Sequence, residues 1–182
     1  MRIAILSALA DPVGHAGASV GERPAFRRFA GKSVLSHQTD CVAQLGCDRV
    51  ICLTGGAGPD IASARNYAAR VGVRFDLAET IPRLVSLVTA DDDVIVLADG
   101  LLPDCAALVE VLTEGPGVAA FPADPAIALG FERIDAARAW CGALRMRGSA
   151  VSGLADLPPD CDLASSLLRI ALQTGVRIVN LD

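Results

Sequence analysis

The chain is poor in aromatic residues and in lysine. Aromatic side chains make up 4% of the 182 residues, Lys32 is the only lysine, and the formal net charge is −5. Proteins that bind nucleic acids usually present a basic surface and aromatic side chains that stack on the bases. We therefore set aside a nucleic-acid partner.

The sequence also lacks long apolar runs and closely spaced cysteine pairs. Hydrophobic residues make up 52% of the chain, yet no uninterrupted stretch of about 18 apolar residues could span a bilayer. Residues 1–12 are better explained as a first buried strand than as a signal sequence. The six cysteines contain no CxxC pair, which favours buried thiols over disulfides or zinc. A soluble, cytoplasmic protein without a membrane partner is expected. The cysteines are Cys41, Cys47, Cys52, Cys105, Cys141 and Cys161.

Short apolar runs alternate with segments of helical period, a pattern typical of α/β proteins. Because the length suits one well-buried core, we expect a single domain over residues 1–182 with a Rossmann-like, mixed and mostly parallel sheet and helices on both faces. The predicted strands are 2–6, 49–53, 73–77, 93–98, 117–121 and 176–181, with 126–131 as a candidate antiparallel strand. The predicted helices are 33–45, 60–71, 81–89, 135–146 and 163–173, with another starting at Pro103.

Positive charge is concentrated in the segment 21–38. Arg23, Arg27, Arg28 and Lys32 are four of the 16 basic residues of the chain, and they lie within ten positions. Charge alone favours a solvated basic loop over a phosphate site. The segment nevertheless belongs to a predicted loop of about 25 residues, and loops of that length are usually functional or disordered. A phosphate-bearing ligand is the hypothesis that this context favours.

An aspartate directly follows the most apolar of the central predicted strands. In open parallel sheets, ligands bind beyond the carboxyl ends of the strands, and Asp99 occupies such a position after strand 93–98. One or two carboxylates suffice for Mg²⁺, which keeps water and phosphate oxygens as its other ligands. A turn-forming Asp-Gly pair is the alternative explanation.

Several segments, in this order, resemble the nucleotidyltransferases of glycosyltransferase-A-like fold, which include sugar-phosphate, guanylyl and cytidylyl transferases. They are RIAIL, RPAFRRFAGKSVLSHQ, LGCDRVICLTGG, DDDVIVLADG and DLASSLLRIALQTGVRIVNLD. The resemblance implies a Mg²⁺-dependent enzyme that transfers a nucleoside monophosphate from a nucleoside triphosphate to a small phosphorylated acceptor. Sugar, polyol and cofactor phosphates are the acceptors it suggests, and a homodimer is compatible with it.

The resemblance also assigns roles to individual residues. Asp99 matches the magnesium aspartate of the family, and Arg23 is the nearest cation to its phosphate-binding lysine, whose own position is Pro24. Arg23 and Arg28 would hold the departing phosphates. The other implied nucleotide contacts are Ser7 and Ala8 in the first loop and Thr54 and Gly55 beside the base. Asp182 is the candidate for a second metal ligand, and Lys32 matches a lysine that is not the main catalytic cation.

The first loop departs from the family pattern. A glycine-rich loop normally cradles the triphosphate with backbone amides, but residues 7–12 read SALADP, and Asp11 would repel a phosphate. A catalytically silent relative that binds a nucleotide or a partner protein is therefore the second hypothesis. The third is a dinucleotide-binding domain, suggested by residues 54–58, TGGAG, which lack the full GxGxxG spacing.

Overall fold

A seven-stranded sheet organises the computed structural model, which describes residues 1–11 and 22–181. The strand order is β5-β4-β1-β6-β8-β7-β9, and every neighbouring pair is parallel except the two formed by β8. A small antiparallel hairpin, β2–β3, lies apart from this sheet. The strands are β1 Arg2–Ser7, β2 Arg28–Phe29, β3 Lys32–Ser33, β4 Arg49–Leu53, β5 Arg74–Ala78, β6 Asp93–Leu97, β7 Gly117–Pro122, β8 Arg138–Arg147 and β9 Ile178–Asn180.

Helices cover both faces of the sheet. Side chains of α1, α2 and α4 pack on one face and those of α3 and α7 on the other, so each face has its own apolar cluster. The predicted α/β class with a mixed, mostly parallel sheet is therefore confirmed. The helices are α1 Val34–Gln44, α2 Pro59–Arg70, α3 Ile81–Ser86, α4 Cys105–Leu112, α5 Ala123–Ala128, α6 Gly148–Val151 and α7 Leu163–Gln173, with 3₁₀ turns at Pro24–Phe26 and Ser152–Asp156.

Local sequence explains where the longer helices begin. Ser33 accepts a hydrogen bond from the backbone N–H of Ser36 at the start of α1, and Asp162 accepts one from Ser165 at the start of α7. Such caps satisfy amide groups that have no partner within the helix. Pro59 stands at the first position of α2, where its missing N–H costs nothing. These ends agree with the predicted helices to within a residue or two.

Two predicted elements are wrong. The helix predicted at 135–146 is the long strand β8, and the candidate strand 126–131 overlaps α5. The sequence of β8, RAWCGALRMR, is rich in good helix formers. Its backbone is instead hydrogen-bonded to β6 on one side and β7 on the other, and positions 139–144 are buried. Pairing with both neighbours outweighs the local helix propensity.

The structure describes all six cysteines, for which the sequence predicts buried thiols, and the helices, for which it predicts no membrane span. All six cysteines are free thiols, and Cys41, Cys47, Cys52 and Cys141 are buried. Burial raises the pKa of Cys47 and Cys52 to about 12 and that of Cys141 to about 11. Within residues 1–11 and 22–181, no helix is long and apolar enough to cross a membrane.

Candidate functional site

The central strands β4, β1 and β6 end at the same edge of the sheet. Ser7 pairs with Leu53, and the backbone N–H of Ala8 donates to the carbonyl of Leu53 at 2.9 Å. The parallel strand β6 ends on the other side of β1, and Asp99 follows it by two residues. The residues that follow the three strands are thereby brought to one edge, which is where open α/β sheets bind their ligands.

A cavity of about 230 Å³ lies at the carboxyl end of β4, and we call it the Thr54 pocket. It brings together four of the predicted site residues, Ala8, Arg23, Thr54 and Gly55. The Nη1 group of Arg23 donates to the carbonyl of Ala8 at 2.9 Å, which fixes the guanidinium against the end of β1. The residues that line the Thr54 pocket are Ala8, Arg23, Phe26, Thr54, Gly55, Gly56, Ala57, Gly58, Asp60 and Ile61.

The glycine-rich turn after β4 shapes this pocket. Thr54 is 4% exposed, and its hydroxyl donates to the carbonyl of Gly56 at 3.3 Å. Gly56 has a φ of +135°, a conformation that side-chain-bearing residues rarely adopt. Without a side chain at Gly55 or Gly56, the backbone is open to close approach by a flat ligand.

The carboxylate of Asp99 is hydrogen-bonded to the loop that follows β1. Its Oδ2 atom accepts from the backbone N–H groups of Leu9 and Ala10, each at 2.7 Å. Its Oδ1 atom is buried and has no hydrogen-bond partner within the described part of the chain. Burial raises the pKa of Asp99 above its ordinary value, although the two N–H groups oppose this effect. The first-loop amides that the resemblance would assign to a triphosphate are thus bound to Asp99.

Asp99 faces a second cavity, of about 420 Å³, which we call the Asp99 pocket. Ser7 lines this cavity and not the Thr54 pocket, so the short segment 7–10 separates the two. Among the described residues its lining includes five carboxylates and no lysine or arginine. The carboxylates belong to Asp11, Glu79, Asp99, Asp160 and Asp162.

Two contacts that sequence reasoning missed hold Asp99 in position. The fully buried Gln38 of α1 donates from Nε2 to the carbonyls of Ala98 and Leu101, both at 2.8 Å, so it clamps the turn on either side of Asp99. Gly100 has a φ of +72°, and a Cβ there would overlap the Cβ of Pro24. The segment that carries Arg23 is therefore packed directly on the turn that carries Asp99.

The remaining predicted residues lie elsewhere. Arg28 lines a third cavity, of about 220 Å³, that adjoins the Thr54 pocket because both share Phe26 and Asp60. We call it the Tyr67 pocket; its polar lining residues are Glu22, Arg28, Lys32, Ser33, Ser36, Asp60, Ser63, Tyr67 and Arg70.

Lys32 is held by Asp40, with Nζ and Oδ2 2.5 Å apart. Asp182, the candidate for a second metal ligand, lies outside the described residues.

The oxygen chemistry at Asp99 suits Mg²⁺. Oδ1 is an unpartnered carboxylate oxygen beside an acidic cavity, and carboxylates are the ligands that Mg²⁺ prefers. In this conformation Oδ1 has almost no accessible surface, so it can reach an ion only if its surroundings move. No group of three or more His, Cys, Asp or Glu residues in 1–11 and 22–181 is arranged to hold a metal. A Mg²⁺ site would therefore rest on Asp99 with water and ligand oxygens.

Solved structures with the same fold are nucleotidyltransferases. A Bacillus anthracis protein described as a glucose-1-phosphate thymidylyltransferase, in complex with sucrose, is 14% identical with a TM-score of 0.68, over 100% of this chain and 87% of that one. The structure of 4-diphosphocytidyl-2C-methyl-D-erythritol synthase is 15% identical with a TM-score of 0.63, and the alignment covers 100% of this chain and 88% of that one. UDP-glucose pyrophosphorylase from Acinetobacter baumanii is 12% identical with a TM-score of 0.66, and the alignment covers 100% of this chain and 86% of that one.

These likenesses establish the fold and not the activity, since the identities are 12–15%. No family model and no curated protein matches the sequence. The chain has the nucleotide-diphospho-sugar transferase-like fold, as the resemblance predicted. The strand order, with antiparallel β8 inside the sheet, also differs from the sequential, mostly parallel strand order of the dinucleotide-binding fold.

Proposed function

We propose that the protein is a nucleotidyltransferase that transfers a nucleoside monophosphate from a nucleoside triphosphate to a small phosphorylated acceptor. The observation that carries this proposal is the meeting of Ala8, Arg23, Thr54 and Gly55 in one pocket at the carboxyl edge, with Asp99 across the segment 7–10. The fold supports the general class of reaction. The residues support the particular arrangement of substrates.

In this arrangement the base of the nucleotide lies against the turn after β4. Backbone groups of Thr54 and Gly55 contact it, and Gly56 leaves room for its plane. Arg23, fixed by the carbonyl of Ala8, offers its remaining N–H groups to the phosphates. We assign the phosphate contacts to Arg23 rather than to Arg28, because Arg28 lines the Tyr67 pocket instead.

The chemical step is an in-line displacement at the α-phosphorus. An oxygen of the acceptor phosphate attacks, the new P–O bond forms as the bridging bond to the β-phosphate breaks, and pyrophosphate leaves with the bonding electron pair. No general base is required, because the acceptor phosphate is already anionic at neutral pH. Positioning and neutralisation of charge carry the rate. Asp99 would hold a Mg²⁺ ion, which supplies Lewis-acid neutralisation of the phosphate charge.

Release of pyrophosphate tests this proposal. Purified protein with each of the four nucleoside triphosphates, a sugar or polyol phosphate and Mg²⁺ should release pyrophosphate only when acceptor is present. Asp99→Asn should lower the rate by about 100-fold or more. Asp160→Asn removes an exposed carboxylate from the same pocket and should keep at least about half of the rate. Equal losses in the two variants would contradict a specific role for Asp99.

One observation favours a second candidate, a nucleotide-binding relative without catalysis. The hydrogen bonds from Leu9 and Ala10 to Asp99 occupy both the loop amides and one carboxylate oxygen. If these bonds persist when a nucleotide binds, neither group is available to the phosphates. Such a protein would show thermal stabilisation by a nucleoside triphosphate and no pyrophosphate release with any acceptor.

A further inference from the structure

The Tyr67 pocket combines cations, hydroxyl groups and carboxylates in one cavity. It lies between the β2–β3 hairpin, the first turn of α1 and one face of α2. Asp60, Ser63, Tyr67 and Arg70 recur at the spacing of a single helix face, so α2 presents all four to the cavity. None of these residues takes part in the reaction proposed above.

Its cations are held in place by neighbouring groups. Lys32 donates to Asp40 at 2.5 Å and to the hydroxyl of Tyr67 at 3.1 Å, while the guanidinium of Arg70 lies 5.3 Å from the centre of the Tyr67 ring. Arg28 donates from Nη2 to the carbonyl of Gly31 at 2.6 Å. Each cation keeps further N–H groups for a ligand. Positions fixed in advance reduce the entropy lost on binding.

Hydroxyl groups and carboxylates complete the lining. The hydroxyl oxygens of Ser33 and Ser36 are 2.9 Å apart at the start of α1, and Ser63 faces the cavity from α2. Glu22 and Asp60 also line it. These two carboxylates would repel a bare anion, yet they are good acceptors for the hydroxyl groups of a ligand. The mixed lining therefore matches a molecule that carries both a phosphate and free hydroxyls.

We propose that the Tyr67 pocket binds a phosphorylated sugar or polyol, with the phosphate on Arg28, Arg70 and Lys32 and the hydroxyls on Asp60 and Glu22. This binding does not depend on the transferase reaction. Because Phe26 and Asp60 also line the Thr54 pocket, a ligand here is in contact with the walls of the candidate nucleotide site. The pocket is thus placed to change nucleotide affinity.

Calorimetric titration of the full chain with glucose 1-phosphate, inorganic phosphate and glucose tests the proposal. Glucose 1-phosphate should bind most tightly, inorganic phosphate several-fold more weakly and glucose not measurably, because both the charge and the hydroxyls contribute. Absence of glucose 1-phosphate binding, or equal affinity for inorganic phosphate, would overturn it. Comparable binding of glucose would overturn it as well.

Variants on one helix locate the ligand. Arg70→Ala should weaken glucose 1-phosphate binding by about tenfold, and Arg65→Ala, which removes the same charge from the exposed opposite side of α2, should change it less than about twofold. Equal effects would indicate non-specific attraction. If Arg23→Ala weakens binding and Arg70→Ala does not, the ligand lies in the Thr54 pocket and the inference is wrong. Thermal melts confirm that each variant is folded.

Discussion

The Thr54 pocket and the Asp99 pocket are neighbours of opposite character. Arg23 and the open glycine turn line the first, and Asp60 is the one carboxylate among its described lining residues. Five carboxylates line the second, and among the described residues no cation does. A triphosphate cannot enter such an acidic cavity without positive charge to accompany it. If the proposed transfer takes place, the base and Arg23 would lie on one side of segment 7–10, and phosphate oxygens bound to a metal ion would lie on the other.

The largest effect should come from breaking the packing that joins the two sides. Gly100→Ala places a methyl group against Pro24 and also strains a φ of +72°, so we expect the free energy of unfolding to fall by about 3 kcal/mol. Gly72→Ala has an equivalent φ of +80° and no atom within 4 Å, and should cost only about 1 kcal/mol. Urea denaturation measures both values.

A second substitution tests whether the loss of stability in Gly100→Ala comes from contact with Pro24. Pro24→Gly removes the atom that the new methyl group meets, so the double variant should recover part of the loss caused by Gly100→Ala. Strict additivity of the two substitutions would mean that the Arg23 segment and the Asp99 turn are not packed as described.

An intermediate effect should follow from removing the cation of the Thr54 pocket. Arg23→Ala should weaken binding of a nucleoside triphosphate by about tenfold, because a fixed guanidinium contacts phosphate through charge-assisted hydrogen bonds. Arg27→Ala changes an exposed arginine of the same segment and should leave the affinity nearly unchanged. Fluorescence titration with a labelled nucleotide measures the affinity of both variants. A similar loss of affinity in both would contradict a specific phosphate contact by Arg23.

The smallest effect concerns the charge of Asp99. Its pKa is raised in the folded protein, so the buried carboxylate costs stability above the folded pKa, and this cost disappears as the pH falls to the ordinary value of 3.8. Asp99→Asn should therefore raise the free energy of unfolding at pH 7, with a smaller gain near pH 4. Denaturation curves at several pH values measure the gain, and a loss at pH 7 would contradict it.

Asp92, before the first residue of β6, provides the opposite case. Burial alone would raise its pKa, but the hydrogen bonds from Thr89, with 2.8 Å between the backbone N and Oδ2, help to lower it. The stability that this carboxylate contributes is present above pH 3.8 and is lost as the pH falls through its lower folded pKa. Asp92→Asn should therefore destabilise the protein at pH 7, where Asp99→Asn stabilises it.

Local patterns predicted the elements whose ends are marked by caps or whose runs are mostly apolar. Helix α7 and strand β4 have the predicted bounds because Asp162 caps the one and five consecutive buried residues form the other. The position of Asp99 followed from the rule that ligands gather at the carboxyl ends of parallel strands. Strand β8 was missed because its state depends on β6 and β7, which no local window contains.

The contacts within the candidate site could not be predicted from the sequence, because they too join residues that are far apart along the chain. Leu9 and Asp99 are 90 positions apart, and Gln38 and Ala98 are 60 apart. Residue type gives no sign of either hydrogen bond, since Leu9 uses only its backbone and Gln38 belongs to a helix with an ordinary amphipathic pattern. The sequence could predict which strand ends would meet but not which atoms would pair across them.

The antiparallel strand in the middle of the sheet has a consequence for synthesis on the ribosome. β6 is complete at residue 97, but the strand that covers its open edge ends at residue 147. At translation rates of about 5–20 residues per second, that edge is uncovered for about 3–10 seconds. Unpaired edges invite association with other chains. We expect a fragment that ends at residue 116 to aggregate under conditions in which the full chain stays monodisperse, and light scattering would show whether it does.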